Sequence, residues 1–263
     1  MYEVDSDQKS DTSAPVADTW IRKGNTAKHG SDKTMELCTY VNEEDATKNK
    51  SFLGLMAFQM PADVVSDDYE VESASLRLVA ERVKGARGVK VYGYGAFDEN
   101  TTYAAEEAAV EEAMTDGVLV ASFSAKGSPK AMGSDVLPDD YKTAEAWTSN
   151  IDITEYVKNL SSRDFSLLFA KDNSSESTKF YTRDLAEDVV NAKDESVVFA
   201  AADLVPQLTV VYKKMTGTGV DHVVVRIPAN ADNRVYNLQG ARVNPANLPA
   251  GIYIKNGKKF VVK

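Results

Sequence analysis

Hydrophobic and polar positions alternate most clearly over residues 73–94, SASLRLVAERVKGARGVKVYGY. Leu76, Leu78 and Ala80 alternate with Arg77, Val79 and Glu81. After Lys84-Gly85-Ala86-Arg87-Gly88 the rhythm resumes, with Val89, Val91 and Gly93 set against Lys90, Tyr92 and Tyr94. A period of two on both sides of a glycine-flanked break predicts two strands, each burying one aliphatic face. The opposite faces carry tyrosine, arginine and lysine, which suit a polar ligand better than a second apolar layer. The stretch predicts a β-sandwich with a decorated sheet, and it points toward binding rather than catalysis.

The same rhythm organises the rest of the chain. Strands are predicted at 17–22, 35–41, 117–123, 151–153, 164–170, 178–184 and 207–212. Residues 51–60 are nearly all apolar, as in a strand covered on both faces, and Pro61 ends the run. Residues 104–114, rich in alanine and glutamate, form the one convincing helix, placed as an acidic insertion on the sandwich. Thr154 is positioned to cap a short helical turn. Residues 1–14 hold four acids and almost nothing to bury, which reads as a flexible linker. The main domain then spans 15–214. Lys213-Lys214-Met215-Thr216-Gly217-Thr218-Gly219 marks a boundary, and 219–263 form a small C-terminal β domain with strands at 223–227, 234–238, 251–254 and 260–262. Asn256-Gly257 is a strong hairpin turn within it.

Composition narrows the function. A formal net charge of −10 argues against nucleic acid, whose phosphates need a basic footprint. The single cysteine, Cys38, allows no internal disulfide and no thiolate zinc site, and its strand context predicts a small buried residue. No run is apolar and long enough to span a bilayer. Met1 is followed by Tyr-Glu-Val-Asp-Ser-Asp, which has neither the basic start nor the apolar stretch of a signal peptide, so an exported protein would carry its leader elsewhere.

Several pieces, taken in order, carry a family resemblance. They are Ala17-Asp18-Thr19-Trp20-Ile21-Arg22-Lys23-Gly24, Lys50-Ser51-Phe52-Leu53, Ser73-Ala74-Ser75-Leu76-Arg77-Leu78 and Val89-Lys90-Val91-Tyr92. Ile151-Asp152-Ile153-Thr154, Tyr181-Thr182-Arg183-Asp184 and Pro206-Gln207-Leu208-Thr209-Val210 complete the set. With these, residues 14–213 resemble the DNRLRE-type domain, also classed as carbohydrate-binding module family 96. The resemblance implies a jelly-roll-like all-β sandwich from a secreted protein that binds polysaccharide, alginate in some members. Gly54 and Met56 stand where that family often has lysine and aspartate, and residues 97–103 replace its tryptophan-rich stretch.

The C-terminal stretches Val235-Tyr236-Asn237-Leu238-Gln239-Gly240-Ala241-Arg242-Val243, Leu248-Pro249-Ala250-Gly251-Ile252-Tyr253-Ile254 and Asn256-Gly257-Lys258-Lys259-Phe260-Val261-Val262-Lys263 resemble sorting tails read by the type IX secretion system. That resemblance implies export to the exterior or cell surface, with secretion machinery as the partner of residues 219–263.

The ligand-binding candidates follow from the decorated faces. Lys90, Tyr92 and Tyr94 share one strand face, Arg77 lies on the polar face of the strand before, and Lys179, Tyr181 and Arg183 repeat the pattern. Tyrosine rings can stack on the apolar face of a sugar, and arginine can grip a uronate carboxylate through paired hydrogen bonds, so the partner expected is a polysaccharide, including one containing uronate. The same residues equally suit an ordinary amphipathic face, or one packed beneath the acidic helix. Trp20 is either a sugar platform or core, with core favoured. His29 and His222 are too separated for a metal or nucleophile constellation and read as surface residues. No metal set or cofactor loop stands out. Asp98, Glu99 and Asn100 offer oxygen ligands to a structural calcium ion, though no loop has the spacing of a known calcium motif. No carboxylate pair stands out as acid and base, so no enzymatic activity is expected. The competing reading is a structural or adhesive surface domain with no glycan site.

Overall fold

The computed structural model describes residues 8–65, 68–215, 235–237, 242–244, 248–255 and 258–262. The chain divides into two compact units, Met1–Met215 and Thr216–Lys263, so the boundary falls inside the expected glycine-threonine stretch. The first unit is an all-β sandwich. Its strands are β1 (Gln8–Ser13), β2 (Ala17–Arg22), β3 (Thr34–Tyr40), β4 (Lys50–Gln59), β5 (Tyr69–Val83), β6 (Gly88–Tyr94) and β7 (Leu119–Ser124). They continue with β8 (Thr148–Asp152), β9 (Asp164–Lys171), β10 (Thr178–Tyr181), β11 (Val189–Val190), β12 (Val198–Phe199) and β13 (Gln207–Lys214). Helix α1 (Tyr103–Thr115) joins β6 to β7, and α2 (Thr154–Lys158) follows β8.

The antiparallel order is β1-β13-β5-β10-β3-β4-β9-β6-β7, with β2 paired to β4 and β8 to β5; β11 and β12 form a separate ribbon. This one sheet curls on itself around a main core. Leu76, Leu78 and Ala80 of β5 face Val89 and Val91 of β6, Met56 and Phe58 of β4, and Leu167 and Phe169 of β9 across that core. The inward half of the 73–94 alternation is therefore as predicted: all five of its aliphatic residues are at most 1 % exposed.

The apolar character of β4 has a specific cause. Leu53 and Leu55 point away from the main core and, with Ile21, Tyr92, Leu168 and Ala170, make a second cluster roofed by Tyr103, Val110 and Ala113 of α1. The acidic helix thus lies on the outer face of β2-β4-β9-β6, with Glu111 and Glu112 turned to water, Glu106 half-buried and three side chains turned down. A second cover lies elsewhere on the sheet. Met132, Leu137, Leu185, Val197 and Phe199, from the connections around β11 and β12, join the main core and close over Tyr181 of β10. Buried Asn191 ties this cover together, its Nδ2 donating to Met132 O at 2.7 Å and to Asp135 O at 3.0 Å.

Two local expectations are corrected. Residues 8–13, expected as flexible linker, form β1, paired residue for residue with β13 from Gln8↔Lys213 to Ser13↔Leu208. Their polar composition misleads because an edge strand needs only backbone partners. Lys9 also lies over the Tyr69 ring, 4.8 Å from its centroid. Thr154 does not cap α2 with its hydroxyl. That hydroxyl accepts from Ala74 N at 3.0 Å and donates to Asp152 Oδ1 at 2.5 Å, while the same carboxylate takes the Thr154 amide at 2.9 Å.

The second unit, among its described residues, is an antiparallel sheet in the order β15-β14-β16-β17. These are β14 (Val235–Asn237), β15 (Arg242–Val243), β16 (Gly251–Lys255) and β17 (Lys258–Val262). Val235 and Tyr253 are buried, and the Tyr253 hydroxyl donates to Pro249 O at 2.8 Å. The expected strand at 223–227, His222 and the Asn256-Gly257 turn lie outside the described residues.

The outer cluster is as well packed as the main core, and one substitution tests its weight. Leu168→Ala removes a fully buried side chain from beneath α1. It should cost about 2–5 kcal/mol in urea unfolding, with loss of helical signal at the same midpoint, because the helix has no other apolar seat.

Candidate functional site

The expected ligand face is divided by the covers. On the outer face of β2-β4-β9-β6, one cross-strand row runs Thr19, Leu55, Leu168, Tyr92, and the next runs Ala17, Ala57, Ser166, Tyr94. Helix α1 sits on the Tyr92 row, so Tyr92 is 9 % exposed and belongs to the outer cluster. Lys90 emerges on one side of the helix, exposed, beside a groove of about 360 Å³ lined by Gly88, Ser122, Phe123, Ser124 and Asp172. Tyr94 emerges on the other side. Its hydroxyl donates to Glu106 Oε2 of α1 at 2.6 Å, and burial together with this bond pushes the phenol well above its usual range.

The second expected set lies on another part of the sheet. Three strands, β3, β4 and β9, separate β10 from β6. Lys179 faces Glu36 across the β10–β3 pair, Nζ to Oε2 at 3.8 Å. Tyr181 is 4 % exposed beneath the second cover, its hydroxyl 3.6 Å from Met132 Sδ, and burial raises its phenol pKa. Arg183 donates from its guanidinium to Glu99 Oε1 and to Val16 O. Arg77, on β5, donates to Asp203 O. Of the seven candidates, Tyr92 and Tyr181 are core residues, and Arg77, Lys179 and Arg183 are held in place within the protein. Only Lys90 and Tyr94 face solvent at a groove.

Tyr94 lines the better-formed one. A groove of about 350 Å³ is bounded by Val16, Ala57, Phe58, Tyr94, Gly95, Ala96, Phe97, Asp164, Phe165 and Ser166. Ala57 and Ser166, in the row beside the one beneath α1, are small and leave space for it. Tyr94 and Phe97 are half-buried and flank it, while Asp164 is exposed at its end. Asp164 Oδ1 accepts from Gln59 Nε2 at 2.8 Å. The sequence reading missed Phe97, Asp164 and Ser166. The alternation of β9 (Asp164, Ser166, Leu168, Ala170) held the signal, since its outward face turns from apolar to polar at Ser166.

The loop that carries Phe97 is anchored through Glu99. Besides Arg183, Glu99 Oε1 accepts from Asp18 N at 3.2 Å, and Asp18 Oδ2 accepts from Arg183 N at 2.8 Å. Asp18 is 1 % exposed. Burial, with the Asp184 and Glu99 carboxylates nearby, pushes its pKa up to about 6 against the pull of Arg183. Gly30 packs against this loop so closely that a Cβ there would lie 2.5 Å from Glu99 O. Behind it, Asp32 Oδ2 accepts from Trp20 Nε1 at 2.9 Å and from His29 Nδ1 at 2.7 Å, and the His29 ring stacks on Trp20 with centroids 3.7 Å apart. Trp20 is thus core, as favoured. His29 is a packing partner of that indole rather than a surface residue.

No group of three or more His, Cys, Asp or Glu able to hold a metal occurs among the described residues. Asp98 Oδ1 accepts from Asn100 N at 2.8 Å and closes a local turn. Among the described residues, no helix is long and apolar enough to cross a membrane. No protein-family model matches this chain, and no curated protein matches it.

The anchor yields two predictions. The folded protein keeps a proton on Asp18 between pH ~4 and 6 that the unfolded chain releases. Stability therefore falls as pH rises through that window, by up to about 3 kcal/mol, and is flat in this term above it. Asp18→Asn, which can still accept from Arg183 N, should remove that slope, so the difference between wild type and variant in denaturant melts changes between pH 4 and 7 and then stays constant. Gly30→Ala should cost about 1–3 kcal/mol in the same melts, because the Glu99 backbone must move to admit the methyl group.

Proposed function

We propose that the first unit is a non-catalytic polysaccharide-binding domain of an exported bacterial protein, and that it takes its ligand in the Tyr94–Phe97 groove. The observation that carries this reading is an open groove lined by two partly buried aromatic side chains, a carboxylate and a serine, on the outer sheet face that the alternation singled out. Aromatic rings offer a flat apolar surface to a pyranose, and Asp164 and Ser166 can exchange hydrogen bonds with its hydroxyls. Asp164 is the only carboxylate among the residues lining the groove, whereas glycoside hydrolysis generally needs a second one across the scissile bond. The resemblance to carbohydrate-binding module family 96 and to type IX sorting tails supports the same reading. Residues 219–263 would then address the protein to its secretion machinery and leave it secreted or on the cell surface.

A second reading is a structural or adhesive surface domain with no glycan site. What favours it is the covering of Tyr92 and Tyr181, which removes most of the expected sugar platform.

Affinity electrophoresis or calorimetry against a polysaccharide panel separates the two. Phe97→Ala should weaken binding at least tenfold while leaving the melting temperature within a few degrees, the ring being only partly buried. Tyr94→Phe, which keeps the ring and drops the bond to Glu106, should bind within about threefold of wild type, because stacking rather than the hydroxyl is the contact. No retardation by any glycan would favour the structural reading.

A further inference from the structure

We infer that the Tyr94–Phe97 groove selects an uncharged hexopyranose unit and discriminates against uronate; this rests on the groove being the glycan site. The argument is one of charge around a small space. Asp164 is the one carboxylate in the lining, and Gln59 donates to its Oδ1, leaving Oδ2 for a sugar hydroxyl. No lysine, arginine or histidine is among the residues lining the groove. Arg183, the nearest guanidinium in the loop anchor, bonds Glu99 and Val16 O. Arg163, next to Asp164 in sequence, turns its Nε to Met60 O at 2.9 Å. Lys90 is four residues from Tyr94 along β6, about 13 Å at ~3.3 Å per residue, and on the far side of α1.

A uronate seated on Tyr94 and Phe97 would therefore bring its carboxylate close to Asp164 with no cation in the lining to offset it, a like-charge contact that also displaces water from both groups. A neutral sugar meets no such opposition. Its hydroxyls can donate to Asp164 and exchange hydrogen bonds with Ser166, a residue on the groove floor that is paired in register with both Ala57 and Tyr94. Two rings, one bonded to α1 through Glu106 and one on the 95–100 loop, form its apolar walls.

The test uses the whole chain with soluble neutral glucan, mannan and galactan and with two polyuronates, alginate and polygalacturonate. Wild type should bind at least one neutral polymer at least tenfold more tightly than either polyuronate. Added salt should leave the neutral affinity unchanged and improve the polyuronate affinity, because screening relieves repulsion. Asp164→Asn, an exposed substitution, should narrow the gap at least threefold by raising polyuronate affinity. Polyuronate binding equal to or tighter than neutral binding, yet lost in Phe97→Ala, would overturn the selectivity and leave the groove as the site. Binding of any glycan untouched by Phe97→Ala would overturn both, as would failure to bind every polymer.

Discussion

The architecture turns on a single constraint, the apolar outer face of β2, β4, β9 and β6. Ile21, Leu53, Leu55, Leu168 and Ala170 point away from the main core, and apolar area of that extent cannot face water without a cost of order 25 cal/mol per Å². Helix α1 is what covers it. An alanine- and glutamate-rich helix with little apolar surface of its own suits this task, since three inward side chains suffice and Glu111 and Glu112 stay solvated. The helix is inserted between the edge strand β7 and its neighbour β6, so it can fold back over the sheet those strands belong to. Where it ends, the open surface begins, and the position of the Tyr94–Phe97 groove follows from the reach of thirteen helical residues.

The 73–94 alternation showed which residues point inward, and the structure agrees at every inward aliphatic position. Its outward half was legible only as polarity. Whether Tyr92 meets water depends on Val110 and Ala113, and the burial of Tyr181 depends on Met132, 49 residues away along the chain. Arg183 looked available for a ligand because its partner, Glu99, lies 84 residues distant, with no local charge to announce the pair. Period-two patterning reports the face of a residue; it carries no information about what a later insertion lays on that face. Residues 8–13 illustrate the converse. Their side chains bury little, so composition gives no sign of strand, while backbone pairing to β13 forms the ladder and the Thr12–Thr209 and Tyr212–Asp11 side-chain bonds support it.

Several buried polar groups in this sandwich hold its long connections. Lys171, 3 % exposed, donates from Nζ to Lys84 O and to Glu176 O, and its burial holds the amine below the usual lysine range. That one side chain pins the turn between β5 and β6 to the connection before β10. Asp18 and Glu99 do the same at the other loops, and Asp32 joins Trp20 to His29. Lys171 and Glu99 each satisfy two partners from segments far apart in sequence, which is how a β-fold with long connections limits their freedom.

This economy bears directly on recognition. A loop held by Glu99 to Asp18 and Arg183 presents Phe97 in a fixed place, so a ligand need not pay to order it. The same bonds consume the guanidinium that would otherwise attract an anionic sugar. Rigidity of the groove and its lack of positive charge are therefore two consequences of one set of contacts. Releasing Arg183 from these bonds would also release the Glu99 anchor and loosen the wall that Phe97 provides.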